Sequence, residues 1–325
     1  MDSLQQINEG AWLIRLPVPW ELESVNAFLF RCQEGWLLLD CGLGDEATAE
    51  VFDQALAEIG IEWRAITKIV VSHMHPDHFG GAARARRLSG APVYMNVVEA
   101  KLVSPRDPDE VFFEATENYM RRHGVPEDDI TTLREQSKKF ADTMERFVPD
   151  HGLDEGDVFE YVGGRLQAIS APGHSPALIC FYDPANKTLF STDAVLERIT
   201  PNIGLHHFSD GNPLGQYFDS LAKLEALDVD LVVPGHGRPF EGLGDWIAST
   251  RRHHRKRCNR IVEVLGPGEM HGFDVAKAVW GAKRPLGQLR MAMAEGLAHL
   301  VFQARSGEVD RIAKDDVDYW RLPAA

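Results

Sequence analysis

No stretch of this 325-residue sequence is apolar and long enough to cross a bilayer, so a membrane-embedded role drops out first. The opening, MDSLQQINEG, is polar and shows no basic-then-apolar leader pattern, which leads us to expect a cytoplasmic protein. Positive charge is scarce: 34 Lys and Arg stand against 49 Asp and Glu, a net charge of −15. Such a chain exerts no long-range attraction on nucleic acid or anionic membrane, so the expected partner is a small-molecule substrate. Cysteine is scarce too. Cys32, Cys41, Cys180 and Cys258 show no paired spacing, which points to a reducing compartment and away from a thiolate metal site. The remaining composition, 44% hydrophobic and 26% charged, is that of an ordinary globular protein, with length enough for one large domain and a smaller one.

What the sequence has instead is one dense stretch, Ser72-His73-Met74-His75-Pro76-Asp77-His78-Phe79-Gly80-Gly81, with three His and one Asp inside six positions. The run before it, 66–71, is short, apolar and β-branched and predicts a buried strand. In an extended chain residues i and i+2 point the same way, so His73 and His75 can grip one ion together. Pro76 pushes His75 toward extended geometry, and the strand is expected to persist through His75. Pro76 then suits the first position of a helix, which turns Asp77 and His78 toward a second point. Residues 82–88 are expected to continue that helix. Clusters of this density mark metal sites more often than polar loops.

The same grammar recurs. Apolar runs at 36–39, 166–170, 188–191 and 231–233 lead to Asp40, His174, Asp193 and His236. Singly, each could be a turn residue, a loop histidine or a helix cap. Strands of one sheet that share an edge would gather them.

The first stretch resembles the HxHxDH signature of the metallo-β-lactamase superfamily, and the later residues stand in that family's order from 36 to 237. The resemblance implies an α/β fold: a four-layer αββα sandwich over 1–244, here with a helical insertion at about 101–150. It implies that His73, His75 and His174 hold a first metal, that Asp77, His78 and His236 hold a second, and that Asp193 bridges both. Asp40 would support the site without binding metal. Imidazole and carboxylate without thiolate suit two divalent ions, zinc foremost, with iron or manganese as alternatives. Two ions roughly 3.5–4 Å apart share a water and lower its pKa. The metal-bridging hydroxide attacks an electrophilic carbonyl or phosphorus, with Asp77 as the catalytic residue that orients it. The reading is thus a dinuclear metal-dependent hydrolase of a small carbonyl ester, thioester or lactone. Some lactonases of the superfamily place a Tyr shortly after the bridging Asp; here Ala194-Val195-Leu196 follow.

The rest of the chain is less specific. Residues 101–150 predict two helices split at Gly124-Val125-Pro126. An apolar seam of Ile130, Leu133, Ser137, Phe140, Met144 and Phe147 reads as packing against the partner helix or as a homodimer contact. Phe112, Phe113 and Tyr119 are candidates to line a substrate entrance. His206 and His207 read as a surface pair or as a substrate contact or proton donor. In the tail, 245–325, a helical stripe includes His254, which reads as a packed histidine. The basic run 251–257, RRHHRKR, spreads its charges around the helix and reads as a solvated or interdomain face. Helix, helix and hairpin then resemble the winged-helix-like C-terminal domain of the LACTB2-like branch of the superfamily. That second resemblance supplies the alternative function, a LACTB2-like single-strand RNA endonuclease.

Overall fold

The structure is a computed structural model that describes residues 3–20, 22–105, 110–141, 144–209 and 211–324, without the side chain of Phe140. The chain divides into two compact units: Met1–Pro105, Met144–Pro201 and Ser220–Gly244 form unit one, and Arg106–Thr143, Asn202–Asp219 and Asp245–Ala325 form unit two.

Unit one holds two sheets. The first runs in the order β1 (Leu4–Asn8), β2 (Ala11–Pro17), β3 (Ser24–Arg31), β4 (Trp36–Leu39), β5 (Ile66–Val71), β6 (Val93–Met95) and β7 (His151–Gly152). Its pairs are antiparallel up to β4 and parallel beyond. The second contains β8 (Val158–Tyr161), β9 (Gly164–Ser170), β10 (Ile179–Asp183), β11 (Thr188–Thr192) and β12 (Leu231–Pro234), in reverse order from β12 to β8.

The period of two along each strand explains the layering. Phe28, Phe30, Leu37, Leu39 and Val70 face the second sheet and pack with Leu166, Ala168, Phe181, Phe190 and Val233. Their neighbours Ala27, Leu29, Trp36, Leu38, Ile69 and Val71 join a separate core. Strand β4 reads as an unbroken apolar run, and β3 as one broken only by Asn26 between its ends, because both of their faces are buried. The outer core takes Phe52, Ala55 and Leu56 from α1 (Glu46–Ile59), Phe79 from α2 (Pro76–Phe79), Ala82 and Ala85 from α3 (Ala82–Ser89), and Val103 from α4 (Val97–Val103).

Unit two contains α5 (Glu110–Arg122) and α6 (Glu127–Ala141), and α7 (Pro213–Glu225) begins in it. From Ser220 onward α7 belongs to unit one, where Ser220 Oγ donates to the Pro172 carbonyl (2.8 Å) and Lys223 Nζ to the Ser170 carbonyl (2.9 Å). Helix thus flanks both sheets, and the αββα sandwich is complete. Unit two continues with α8 (Leu243–Leu265, within the unit from Asp245), β13 (Met270–His271), α9 (Gly272–Trp280), α10 (Leu286–Arg305), β14 (Asp310–Lys314) and β15 (Val317–Arg321). The three strands form an antiparallel sheet in the order β13-β15-β14.

Three local expectations are corrected. The strand before the histidine stretch ends at Val71, because Asp40 takes the Ser72 amide out of the ladder (2.8 Å); His75 is still extended, with φ −65° and ψ 144°. The helix opened by Pro76 breaks after Phe79 and restarts at Ala82. A Cβ on Gly81 would stand 2.2 Å from the Cys41 carbonyl oxygen, so the chain needs glycine there to pass the β4 loop. The apolar seam is not one continuous helix either. Ile130 and Leu133 are consumed by the core of unit two, α6 stops at Ala141, and Phe147 stacks on Phe79 in unit one at 5.4 Å. The seam's Phe140 side chain lies outside the described residues.

In the basic run, Arg257 is partly buried over the Trp280 ring (4.2 Å) and faces Glu295 (3.8 Å), while Arg252, Arg255 and Lys256 are exposed. His254 is buried beside His299.

Candidate metal centre

The site lies in unit one, where strands and their following loops deliver its residues. Asp40 follows β4, the histidine stretch follows β5, Asp193 follows β11 and His236 follows β12; His174 lies in the loop from β9 to β10. Seven residues fall into two groups whose potential ligand atoms lie within 4.8 Å of one another: His73, His75, His174 and Asp193 in one, and Asp77, His78 and His236 in the other. Nε2 of His73 is 3.0 Å from Nδ1 of His75. Asp193 stands between the groups: its Oδ2 is 3.4 Å from Nε2 of His174 and 3.4 Å from Nε2 of His236, and its Oδ1 is 3.3 Å from Nε2 of His78. Asp77 Oδ2 is 3.2 Å from Nε2 of His236.

The outward nitrogens are aimed by hydrogen bonds on the far side of the rings. Nδ1 of His78 donates to Asp40 Oδ2 (2.7 Å), and Nδ1 of His236 donates to the Ser24 carbonyl (2.7 Å). The Ser72 hydroxyl donates to Asp40 Oδ2 (2.8 Å), so its oxygen accepts from Nδ1 of His73 (2.9 Å). Each of these three rings therefore turns Nε2 inward. Asp40 is fully buried, belongs to neither group, and acts through Ser72 and His78. Asp40 and Thr192 both take positive φ, 61° and 45°; such strain is held only where the surroundings over-determine it.

The charges are arranged to receive cations. Burial, then the neighbouring His174, drives the His75 pKa down to about 3, and burial with His78 and His75 keeps His73 well below its ordinary value. Burial also opposes charge on His236, but Asp193 and Asp77 outweigh it and raise the pKa to about 10. The same contest at His78, settled by Asp193, Asp40 and Asp77, leaves it well above its ordinary value. Asp193 resists burial and stays well below the carboxylate range through His236 and His78. Without metal, protons on His78 and His236 balance the carboxylates. Even so, Nε2 of His78 and Oδ1 of Asp193 are buried with no hydrogen-bond partner. Buried polar atoms are rarely left so; an ion between the residues would satisfy them, and the oxygen and nitrogen donor set suits a divalent metal.

With the geometry in view, comparison with known proteins is decisive on kinship. The sequence model of the metallo-beta-lactamase superfamily matches residues 20–236. The chain belongs to the metallo-β-lactamase superfamily. A superfamily structure from Thermus thermophilus, described as a metallo-beta-lactamase family protein, is 27% identical with a TM-score of 0.83, over 98% of this chain and 100% of that one. The probable metallo-hydrolase YqjP of Bacillus subtilis is 23% identical over 304 residues, 90% of this chain and 91% of that protein. The atrochrysone carboxyl ACP thioesterase AacuM of Aspergillus aculeatus is 22% identical over 88% of this chain and 70% of its own length. The lactamase-like protein aptB of Emericella nidulans is 23% identical, and the matched residues span 62% of its length. The superfamily implies divalent metal ions, and the two His/Asp groups are where this chain could hold them.

The remaining candidates belong to unit two. His206 and His207 lie in unit two, where His206 stacks on Phe208 (5.2 Å) and His207 meets the edge of Phe112 (4.8 Å). Tyr119 donates its hydroxyl to the Leu205 carbonyl, and Phe113 lies under Lys138 at 5.5 Å, again within unit two. Sequence reasoning misses Asn26, which is fully buried and donates to the carbonyls of Pro234 (2.8 Å) and Gly237 (3.0 Å), fixing the turn that carries His236. An Asn inside an apolar strand is the signal that could have found it.

Proposed function

We propose that this superfamily member is a hydrolase that holds two divalent ions and cleaves activated carbonyl compounds, thioesters foremost. The observation that carries this reading is the inward convergence of seven ligand-type side chains in two adjoining groups, with Asp193 facing both. His73, His75 and His174 would hold one ion, Asp77, His78 and His236 the other, and Asp193 would touch both; zinc fits the donor set, as do iron and manganese. When bound, such ions acidify a shared water and polarise the substrate carbonyl. The chain's own contribution is orientation. Asp40, Ser72 and the Ser24 carbonyl lock the rings. Asp77, whose carboxyl stays below the usual range against the cost of burial through His78 and His236, accepts a hydrogen bond from the attacking water and steers it. For a thioester, the water oxygen forms the new bond to carbon, the carbon–sulfur bond breaks, and the departing sulfur takes up a proton.

The choice among ester, thioester and lactone leans on the thioesterase relative and on Ala194-Val195-Leu196, all buried, which puts no phenol directly after Asp193. A second reading, single-strand RNA cleavage, draws on exposed Arg252, Arg255 and Lys256 of α8 and on a winged-helix-like reading of α9, α10 and the β14–β15 hairpin. The net charge of −15 weighs against it.

The test is hydrolysis by metal-reconstituted protein, with Asp77→Ala as control, on one panel of acyl thioesters, lactones, aryl esters and a single-stranded RNA. Thioester turnover that the variant loses supports the proposal. Cleavage of RNA alone reverses it and makes unit two the substrate-binding part.

A further inference from the structure

Glu99 belongs to neither ligand group. It sits in α4 and is fully buried, a rare state for an unpaired carboxylate. Three donors explain its survival. Oε2 accepts from the Met74 amide (3.0 Å), and Oε1 accepts from the Ser175 hydroxyl (2.6 Å) and the Ala177 amide (2.7 Å). All three partners donate, so the group they fit is the ionised, acceptor-only carboxylate. Burial pushes its pKa up, and the same three hydrogen bonds work against that rise.

The donors come from two segments about a hundred residues apart in sequence. Met74 lies between His73 and His75, and Ser175 directly follows His174. One carboxylate therefore ties together the two loops that carry every histidine of the first ligand group. The second group is fixed by other means: Asp40 holds His78, and Ser24 with Asn26 holds His236 and its turn. The base from which Glu99 reaches is itself secured. Asn96 caps α4 by accepting from the Val98 amide (2.9 Å) and donates to the Leu153 carbonyl (3.0 Å).

Building on the two-ion reading of the site, we infer that Glu99 is a positioning residue that sets the geometry of the His73, His75 and His174 group selectively, leaving the Asp77, His78 and His236 group to its own supports. Such a tie matters because hydrogen bonds behind metal ligands are typically worth roughly 10- to 100-fold in metal affinity. In Glu99→Gln the amide nitrogen must face a donor on one side or the other, so one of the two loops is released while volume is conserved.

The experiment is titration of the metal-free full chain with Co2+, followed by visible absorption, for wild type, Glu99→Gln and Ser175→Ala. His174→Ala and His236→Ala identify which uptake step belongs to which group. Urea unfolding of each metal-free variant is measured in parallel. The expected result is a roughly 10- to 100-fold weaker first-group step in Glu99→Gln, a smaller loss in the same step for Ser175→Ala, and an unchanged second-group step in both. A lower urea midpoint with both steps unchanged makes Glu99 a merely structural residue and overturns the inference. If Glu99→Gln does not fold, an unchanged first step in Ser175→Ala overturns it alone. A wild-type chain that takes up no Co2+ overturns the reading of the site and this inference with it, whereas two-ion uptake with an indifferent Glu99 overturns only the latter.

Discussion

Replacing Asp40 separates two jobs that its carboxylate performs at once. Oδ1 accepts the Ser72 amide, and Oδ2 accepts the Ser72 hydroxyl and Nδ1 of His78, all within 2.8 Å and out of water. In Asp40→Ala the Ser72 amide and the His78 Nδ1–H lose their acceptor, and each buried orphan costs about 1–3 kcal/mol. Alanine must also adopt the residue's φ of 61°, which adds about 1–2 kcal/mol. The sum, about 3–8 kcal/mol, is a large share of the stability of an ordinary domain, about 5–15 kcal/mol. Asp40→Asn removes most of this. Asparagine tolerates the left-handed region, and its carbonyl oxygen can still accept the Ser72 amide. Its NH2 group, however, faces Nδ1 of His78, and relief comes when His78 moves its proton to Nε2, the atom that faces Asp193. That atom is then lost as a ligand, and metal affinity at the second group falls about 10- to 100-fold, or about 1.4–2.7 kcal/mol. Urea unfolding of metal-free protein and metal titration by calorimetry read the two effects. The reasoning is refuted if Asp40→Asn binds both ions as wild type does, or if Asp40→Ala unfolds at the wild-type urea midpoint.

Other consequences can be checked independently. In unit two His254 and His299 are buried with Nδ1 of one 3.0 Å from Nε2 of the other, and burial lowers their pKa values to about 2 and about 4. Their folded pKa values lie below the unfolded one, so the stability they contribute is complete above about pH 6.5 and is lost as pH falls toward the folded values. By pH 5.5 the pair costs about 3 kcal/mol, and His254→Gln should flatten the pH dependence of the urea midpoint between 7 and 5.5; an unchanged slope contradicts the assignment. A Cβ on Gly235 would stand 2.2 Å from Asp193 Oδ1, so Gly235→Ala displaces that carboxylate and should cut kcat/KM on the best substrate about 100-fold, while activity within a fewfold of wild type removes Gly235 from the account. Metal at 100 times its Kd should stabilise the chain by about 2.7 kcal/mol for each ion bound; a urea midpoint indifferent to chelator shows that no ion is bound in the folded state.

The strands were the easiest part of this fold to read: β4 is buried on both faces and appears as an unbroken apolar run, and β5 ends in the buried run Ile69–Val71. The candidate ligands are legible for a related reason: polar, ligand-type residues placed directly after such runs have few structural explanations. The supports of the site are less legible. Ser72 is overshadowed by the histidines beside it, Asn26 is marked only by its apolar strand, and Glu99 sits in a helix whose sequence, VVEAKLV, gives no hint that its carboxylate is buried. Their roles come from contacts across about 25 to 210 residues, which no local pattern encodes. The apolar seam misleads for the opposite reason. Its spacing is helical, yet tertiary packing assigns Leu133 and Phe147 to different cores. His206 and His207 are legible only as a histidine pair; in unit two His206 stacks on Phe208, and His207 meets Phe208 and Phe112 edge-on.

The central claim is that two ions bind where the two groups meet. Metal content after equilibrium dialysis of the full chain against zinc tests it most directly. The account predicts two ions per chain for wild type and one for His236→Ala, with the fold retained by circular dichroism. A wild-type chain that retains none, or a His236→Ala chain that still retains two, contradicts it.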